Sequence, residues 1–453
     1  MTVDRAARLG VSLAVGAAVA GASLAQLGLG FLRDVHRPRT SRLPPHADPN
    51  QVIKYSDAVL EPLRRRADPL PLTEAIIKKI ATDGPMPPAV GQSVGVPDGG
   101  EAAQAQATQP GPQQSPPSIA APADEITRVD AFFRRLLRVD QRYLVVDTLI
   151  SEGYPTELRT WADEIRATAA SADGASLRRA GEFFKENAFR ISLILSTSSL
   201  LEAYACEKGV RVLAQTGYLS HKPNRRLAET LQFLLFVGEP EGFVPGRGHA
   251  IDAILKVRLM HAAIRWLIPR KMDWPELEVG VPVNEEDLLG MLTGFSGIVI
   301  RDLDVLGVEL TAQQVVDYLY LWNLVGRLLG ANGALLPADL SEALALISVV
   351  RRRHQRPSDE GAKMAAALVE FHASILRVTR PLGIWAMRLL AGDHVCDMVG
   401  VPYSKFRDVP GSRFVFDTMT VWGETLIGHK GLHVGLDYFL PLYIPRSLRD
   451  LFP

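Results

Sequence analysis

The sequence predicts an all-α fold organised as a single large helical domain. From Glu125 to the C-terminus, apolar residues recur at the three-to-four spacing of helices, run after run. The runs are separated by Gly and Pro signals such as Gly153-Tyr154-Pro155, Gly217, Gly238-Glu239-Pro240, Gly330 and Pro337. Strand-like alternation is scarce, and no repeat with a period of about 20–50 residues marks a solenoid. Length alone, at 453 residues, would allow roughly two or three domains. The 47% apolar fraction is enough for one large core.

Residues 9–32 form an uncharged run, LGVSLAVGAAVAGASLAQLGLGFL, flanked by Arg5 and Arg8 before it and by Arg33, Arg37 and Arg39 after it. A basic region followed by an apolar run resembles a secretory signal, with Ser23-Leu24-Ala25 offering small residues for cleavage. The length also permits a membrane anchor. Its Gly and Ser content equally fits an accessory helix packing on protein. The expected location is exported (periplasmic or secreted) or membrane-anchored, with the cytoplasm still open.

Residues 33–82 form a short helical extension. Its clearest element is LTEAIIKKI, with Thr73 placed to cap and Ile76, Ile77 and Ile80 in a stripe. Residues 83–124 contain no Lys, Arg or aromatic residue and are rich in Pro, Gln and Gly. Such a composition cannot bury enough apolar surface to offset its ordering entropy, so a disordered linker is expected. The remaining residues, 125–453, are expected to be the main helical domain. Its helical runs fall near 126–149, 156–170, 189–216, 224–237, 249–268, 285–301, 311–330, 338–352 and 360–391.

The charge is balanced, 50 Lys+Arg against 50 Asp+Glu, which argues against a nucleic-acid partner. Cys206 and Cys396 are the only cysteines, so four-cysteine zinc sites and CxxC redox chemistry are excluded and two free thiols are expected. No dinucleotide, P-loop, GxSxG or HExxH string is present.

The segment DAILKVRLMHAAIRWLI carries the chemistry. Arg258, His261 and Arg265 stand at i, i+3 and i+7 and share one face of an otherwise apolar helix. Two readings are open on spacing alone. The helix is partly buried with its arginines paired to acids and His261 satisfied in the core. Alternatively, a large apolar cofactor presents a metal to His261 and carboxylates to the guanidiniums, a description that haem fits.

This R-x2-H-x3-R string resembles the haem-binding helix of the latex-clearing protein/rubber oxygenase family and of the related MpaB-type oxygenases. A second family string lies about thirty residues upstream, here RRLAET, with Arg226 and Thr230 four apart. Further similarity runs through FFKENAFRISLILSTSSLLEAYACEKG, with Tyr204, and through VPVNEEDLLGMLTGFS, with Pro282, Asn284, Glu286 and Asp287. Asn284 and Asp287 also read as a helix N-cap and its N3 partner. The resemblance covers roughly residues 125–400 and implies a globin-like haem-binding core with additional helices. It also implies haem b with His261 as the iron ligand, Arg258, Arg265, Arg226 and Thr230 around the cofactor, and O2 as co-substrate. The expected substrate is apolar and unsaturated, isoprenoid-like. One departure stands out: Glu229 occupies the place where rubber-cleaving members carry lysine, which puts polyisoprene itself in doubt.

A carboxylate could serve as base for an allylic proton. Glu202, set among Leu200, Leu201 and Tyr204, is expected to have a raised pKa; Glu229 is the second candidate. His372 and His394 read as core or surface groups, and glycines around His429 and His433 argue against a helix there. Trp266, Trp322 and Trp385 read as packing residues. The alternative from another class is a non-catalytic haem- or lipid-binding helical protein associated with a membrane through residues 9–32.

Overall fold

The computed structural model describes residues 54–87, 123–139, 145–215, 223–375 and 380–432. Residues 9–32 and most of the 83–124 segment lie outside them. The described residues are all-α: helices and short turns with no strand, and a single isolated backbone bridge between Cys206 and Gln355. Among these residues no helix is long and apolar enough to cross a membrane.

The organising element is the helix Ala250–Lys271, called here the histidine helix. Nearly all of its circumference is buried, from Ala253, Ile254 and Leu255 to Ala262, Ala263 and Leu267. A helix apolar all round belongs in the middle of a fold. It is surrounded by Pro71–Asp83, Ala123–Arg138, Glu157–Ala170, Pro223–Gly238 and Ala312–Leu329. Ala123–Arg138 buries Val129, Phe132 and Leu136 on one stripe; Asp124 and Glu125 in its first turn and Arg135 and Arg138 in its last suit the helix dipole. Tyr55, Leu60, Ile76, Ile77 and Ile80 of the N-terminal extension share the main core with the later helices. A second core joins Leu201 and Tyr204 to Met364, Leu368, Met387 and Cys396. Cys206 and Cys396 are free thiols.

Several boundaries differ from the sequence reading. Thr73 does not cap: its helix begins at Pro71, and Thr73 is buried in the first turn with Oγ1 accepting from Trp161 Nε1 at 2.9 Å. The 189–216 run divides into Ala188–Ile194, a π turn Leu195–Ser199, Leu200–Ala205 and Glu207–Gln215. The 285–301 run breaks at Ser296, where φ is −108° and ψ −87°. Residues 428–432 are helical despite their glycines, while His433 lies outside the described residues. The Asn284–Asp287 capping box is present as expected.

Candidate active site

His261 is half-buried near the middle of the histidine helix. At 100° per residue, Arg258 and Arg265 fall to one side of it and Val257 and Ile264 to the other. On the apolar side Ile264 and Ile268 pack with Val212, flanked by Phe133, Met272, Trp274 and Val283.

The arginine side is ionic. Arg258 Nε donates to Asp68 Oδ2 at 2.6 Å, its Nη2 donates to Asp68 Oδ1, and its Nη1 donates to Leu328 O at 2.8 Å. Leu328 is in the last turn of Ala312–Leu329, where carbonyls lack intrahelical partners, so Arg258 also satisfies a helix end. Arg265 Nε donates to Glu74 Oε1 at 2.8 Å and its Nη1 to Val283 O at 3.0 Å. Its Nη2 is buried without a hydrogen bond and lies 3.8 Å from Asp68 Oδ2. Of the two sequence readings for this column, the pairing to acids is the one present for Arg258: each of its three nitrogens donates within the protein. Arg265 keeps one donor available.

Val283 has φ +52°, the only non-glycine positive φ among the described residues. A β-branched residue there is strained, by about 1–2 kcal/mol. The bond from Arg265 to its carbonyl helps hold that conformation. Sequence reasoning missed this residue, although it sits inside the VPVNEEDLL segment.

The helix Pro223–Gly238 packs on the histidine helix and carries the RRLAET string. Glu229 and Thr230 on it are half-buried. Arg226 is part of this helix; its side chain lies outside the described ones. These elements bring Thr230 and Glu229 to a helix adjoining that of His261.

Glu202 is placed differently. Its carboxylate accepts from Arg301 Nη1 at 2.8 Å, from Arg351 Nε at 2.7 Å and Nη2, and from Gln355 Nε2 at 3.3 Å. None of these partners belongs to the histidine helix or to Pro223–Gly238. Burial alone would raise its pKa, but the Arg351 and Arg301 guanidiniums outweigh burial and hold it below the usual carboxylate range. The expected raised pKa is overturned because the apolar sequence neighbours are not its spatial neighbours.

The π turn explains His372. A π turn shifts the hydrogen-bond register and frees carbonyls, and His372 Nε2 donates to Ser196 O at 2.8 Å. Burial lowers the His372 pKa against that bond, so the ring is neutral. Trp322 stacks on Phe295 at 4.7 Å and Trp385 meets Phe416 edge-on at 4.9 Å, both as packing. Arg270 covers Trp266, its guanidinium 4.3 Å from the ring centroid.

Among the described residues no three His, Cys, Asp or Glu side chains converge on a metal position. His261 stands on this buried helix with Ile264 and Ile268 to one side of the helix and Arg258 and Arg265 to the other.

An all-helical enzyme built around one histidine-bearing helix is the class that fold and site define. The family described as "ER-bound oxygenase mpaB/B'/Rubber oxygenase, catalytic domain" matches residues 188–422, more than half of the chain, and the chain belongs to that oxygenase family. The "Rubber oxygenase" of Streptomyces sp. (strain K30) is 26% identical over 295 residues, covering 64% of this chain and 70% of that protein. The solved structure of latex clearing protein LCP in the closed state aligns with a TM-score of 0.55 at 22% identity, over 70% of this chain and 86% of that one, and supports the fold.

Proposed function

We propose that this oxygenase uses haem b and O2 to oxidise an apolar, unsaturated, isoprenoid-like substrate. The observation that carries the proposal is His261 on the buried histidine helix, with Ile264 and Ile268 of an apolar cluster to one side of the helix and Arg265, whose Nη2 is buried without a hydrogen bond, to the other. The family membership supplies the oxygenase chemistry. The named substrate of the Streptomyces relative motivates the isoprenoid class.

In this reading haem supplies an iron at which O2 is activated. The protein's residues do the rest. His261 would hold the iron. Arg265 Nη2, buried without a hydrogen bond, would supply a charge-assisted donor to a cofactor carboxylate. Val212, Ile264 and Ile268 exclude water and offer an apolar surface. The adjoining helix carries Arg226 and Thr230, which would belong to the cofactor pocket, and Glu229 is the proposed base for an allylic proton. Glu202 has no part in this chemistry, since both of its oxygens are engaged elsewhere. The uncharged 9–32 segment supports an exported enzyme.

The visible spectrum of the purified chain tests the proposal. A Soret band is expected, and His261→Ala should abolish it. Oxygen uptake with unsaturated hydrocarbons should accompany the band and fall at least tenfold in Glu229→Gln. A colourless, folded wild-type protein would end the haem reading.

A further inference from the structure

We infer that Asp68, from the N-terminal extension, is a positioning residue for His261. This rests on the reading of His261 as the cofactor's axial ligand. Asp68 lies some 120 residues before the matched domain begins at 188, yet its side chain is 1% exposed and grips Arg258 through both oxygens. The same carboxylate lies 3.8 Å from Arg265. It therefore meets both guanidiniums that flank His261 one turn away on either side.

The arrangement fixes the helix in two respects. Charge is balanced locally, because Asp68 and Glu74 answer Arg258 and Arg265; removing one partner of such a buried set leaves a costly uncompensated charge. Position is fixed as well. Arg258 is tied at once to Asp68 and Leu328 O, and Arg265 to Glu74 and Val283 O. A helix rotation of about 20° would move a ring about 6 Å from the axis by roughly 2 Å, well beyond the roughly 0.5 Å tolerance of a preorganised ligand. The backbone makes room for the carboxylate: a Cβ on Gly330 would lie 3.2 Å from Asp68 Oδ2 and 3.3 Å from Arg258 Nη2.

The test uses the full chain with Asp68→Asn, Asp68→Glu and Glu74→Gln. The first readout needs no cofactor: the ring resonance of His261 in histidine-labelled protein, assigned by its loss in His261→Ala. The second is haem affinity and the reduction potential of the loaded protein. In Asp68→Asn the His261 resonance should shift while that of His372 stays. Haem should bind about tenfold more weakly, and the potential should move positive because a negative charge is lost near the ligand. Glu74→Gln, at a carboxylate that is itself one-third exposed, should stay within about twofold of wild type, and Asp68→Glu should recover part of the loss.

A folded Asp68→Asn with wild-type resonance and haem affinity would overturn the inference. If that variant does not fold, Arg258→Lys, which keeps the charge and loses the fork, is read the same way. Failure of both to fold would assign Asp68 to general stability and would also overturn it. Should wild type bind no haem, the functional reading falls, while the cofactor-free resonance still decides the role of Asp68.

Discussion

Glu202 shows how sequence neighbours mislead at the scale of one residue. Leu200, Leu201 and Tyr204 suggest an apolar setting, but the carboxylate sits between Arg301 and Arg351, contributed by residues about 100 and 150 positions away. Because its folded-state pKa lies below the unfolded value, it contributes stability at neutral pH that is lost as pH falls through the acidic range. Glu202→Gln should therefore destabilise the protein by about 1–2 kcal/mol at pH 7, because Arg351, partly exposed, loses its carboxylate partner while Arg301 keeps Asp302. Urea unfolding should show that gap closing below about pH 4, near the unfolded carboxylate value. A base with a raised pKa would give the opposite dependence, with a gap that narrows toward neutral pH. The histidine column was legible for the opposite reason. Arg258, His261 and Arg265 are coupled by helical geometry, which spacing encodes, whereas Asp68 and Glu74 reach them only through tertiary structure.

At the scale of elements, the helices were legible where apolar periodicity is sustained, as in 157–170, 250–271, 312–329 and 340–354. Breaks were less so. The π turn at Leu195–Ser199 falls in a run of hydroxyl residues with no Gly or Pro to mark it, and at the break around Ser296 the apolar run resumes at once after Gly297. Chain stops marked by glycine read correctly. Gly330 ends Ala312–Leu329 at φ +100°, with its N–H on Arg327 O and the Ala331 N–H on Gly326 O. Its second duty, leaving room for Asp68, was invisible in sequence. Gly330→Ala should cost about 1–2 kcal/mol for the left-handed backbone alone. Because its Cβ also presses on the carboxylate held by Arg258, the loss measured by chemical unfolding should exceed that of Gly153→Ala, where φ is +88° and the space is open. Equal losses at the two positions would show that the Asp68 contact yields without strain.

Across the whole molecule, the matched oxygenase domain is not a self-sufficient body. Tyr55, Leu60, Leu63, Ile76, Ile77 and Ile80 are each at most 2% exposed and complete the main core. At about 1.5–3 kcal/mol per buried large side chain, they contribute on the order of 10 kcal/mol, comparable to the whole stability of a domain. A chain starting after residue 87 should be insoluble or unfolded by circular dichroism. The segment between extension and domain should behave oppositely. Pro87 lies beside Ile126 and Thr127 along one surface hollow, so the two ends to be joined are close. Replacing residues 90–120 by about ten Gly/Ser residues shortens the closing loop roughly threefold, a change of about 1 kcal/mol in closure entropy. The shortened protein should therefore keep its Tm within about 4 °C of wild type. It should also keep the haem binding proposed for it, since Asp68 and Glu74 still reach Arg258 and Arg265. If the shortened chain melts much earlier, the Pro- and Gln-rich stretch contributes packing that its composition does not foretell.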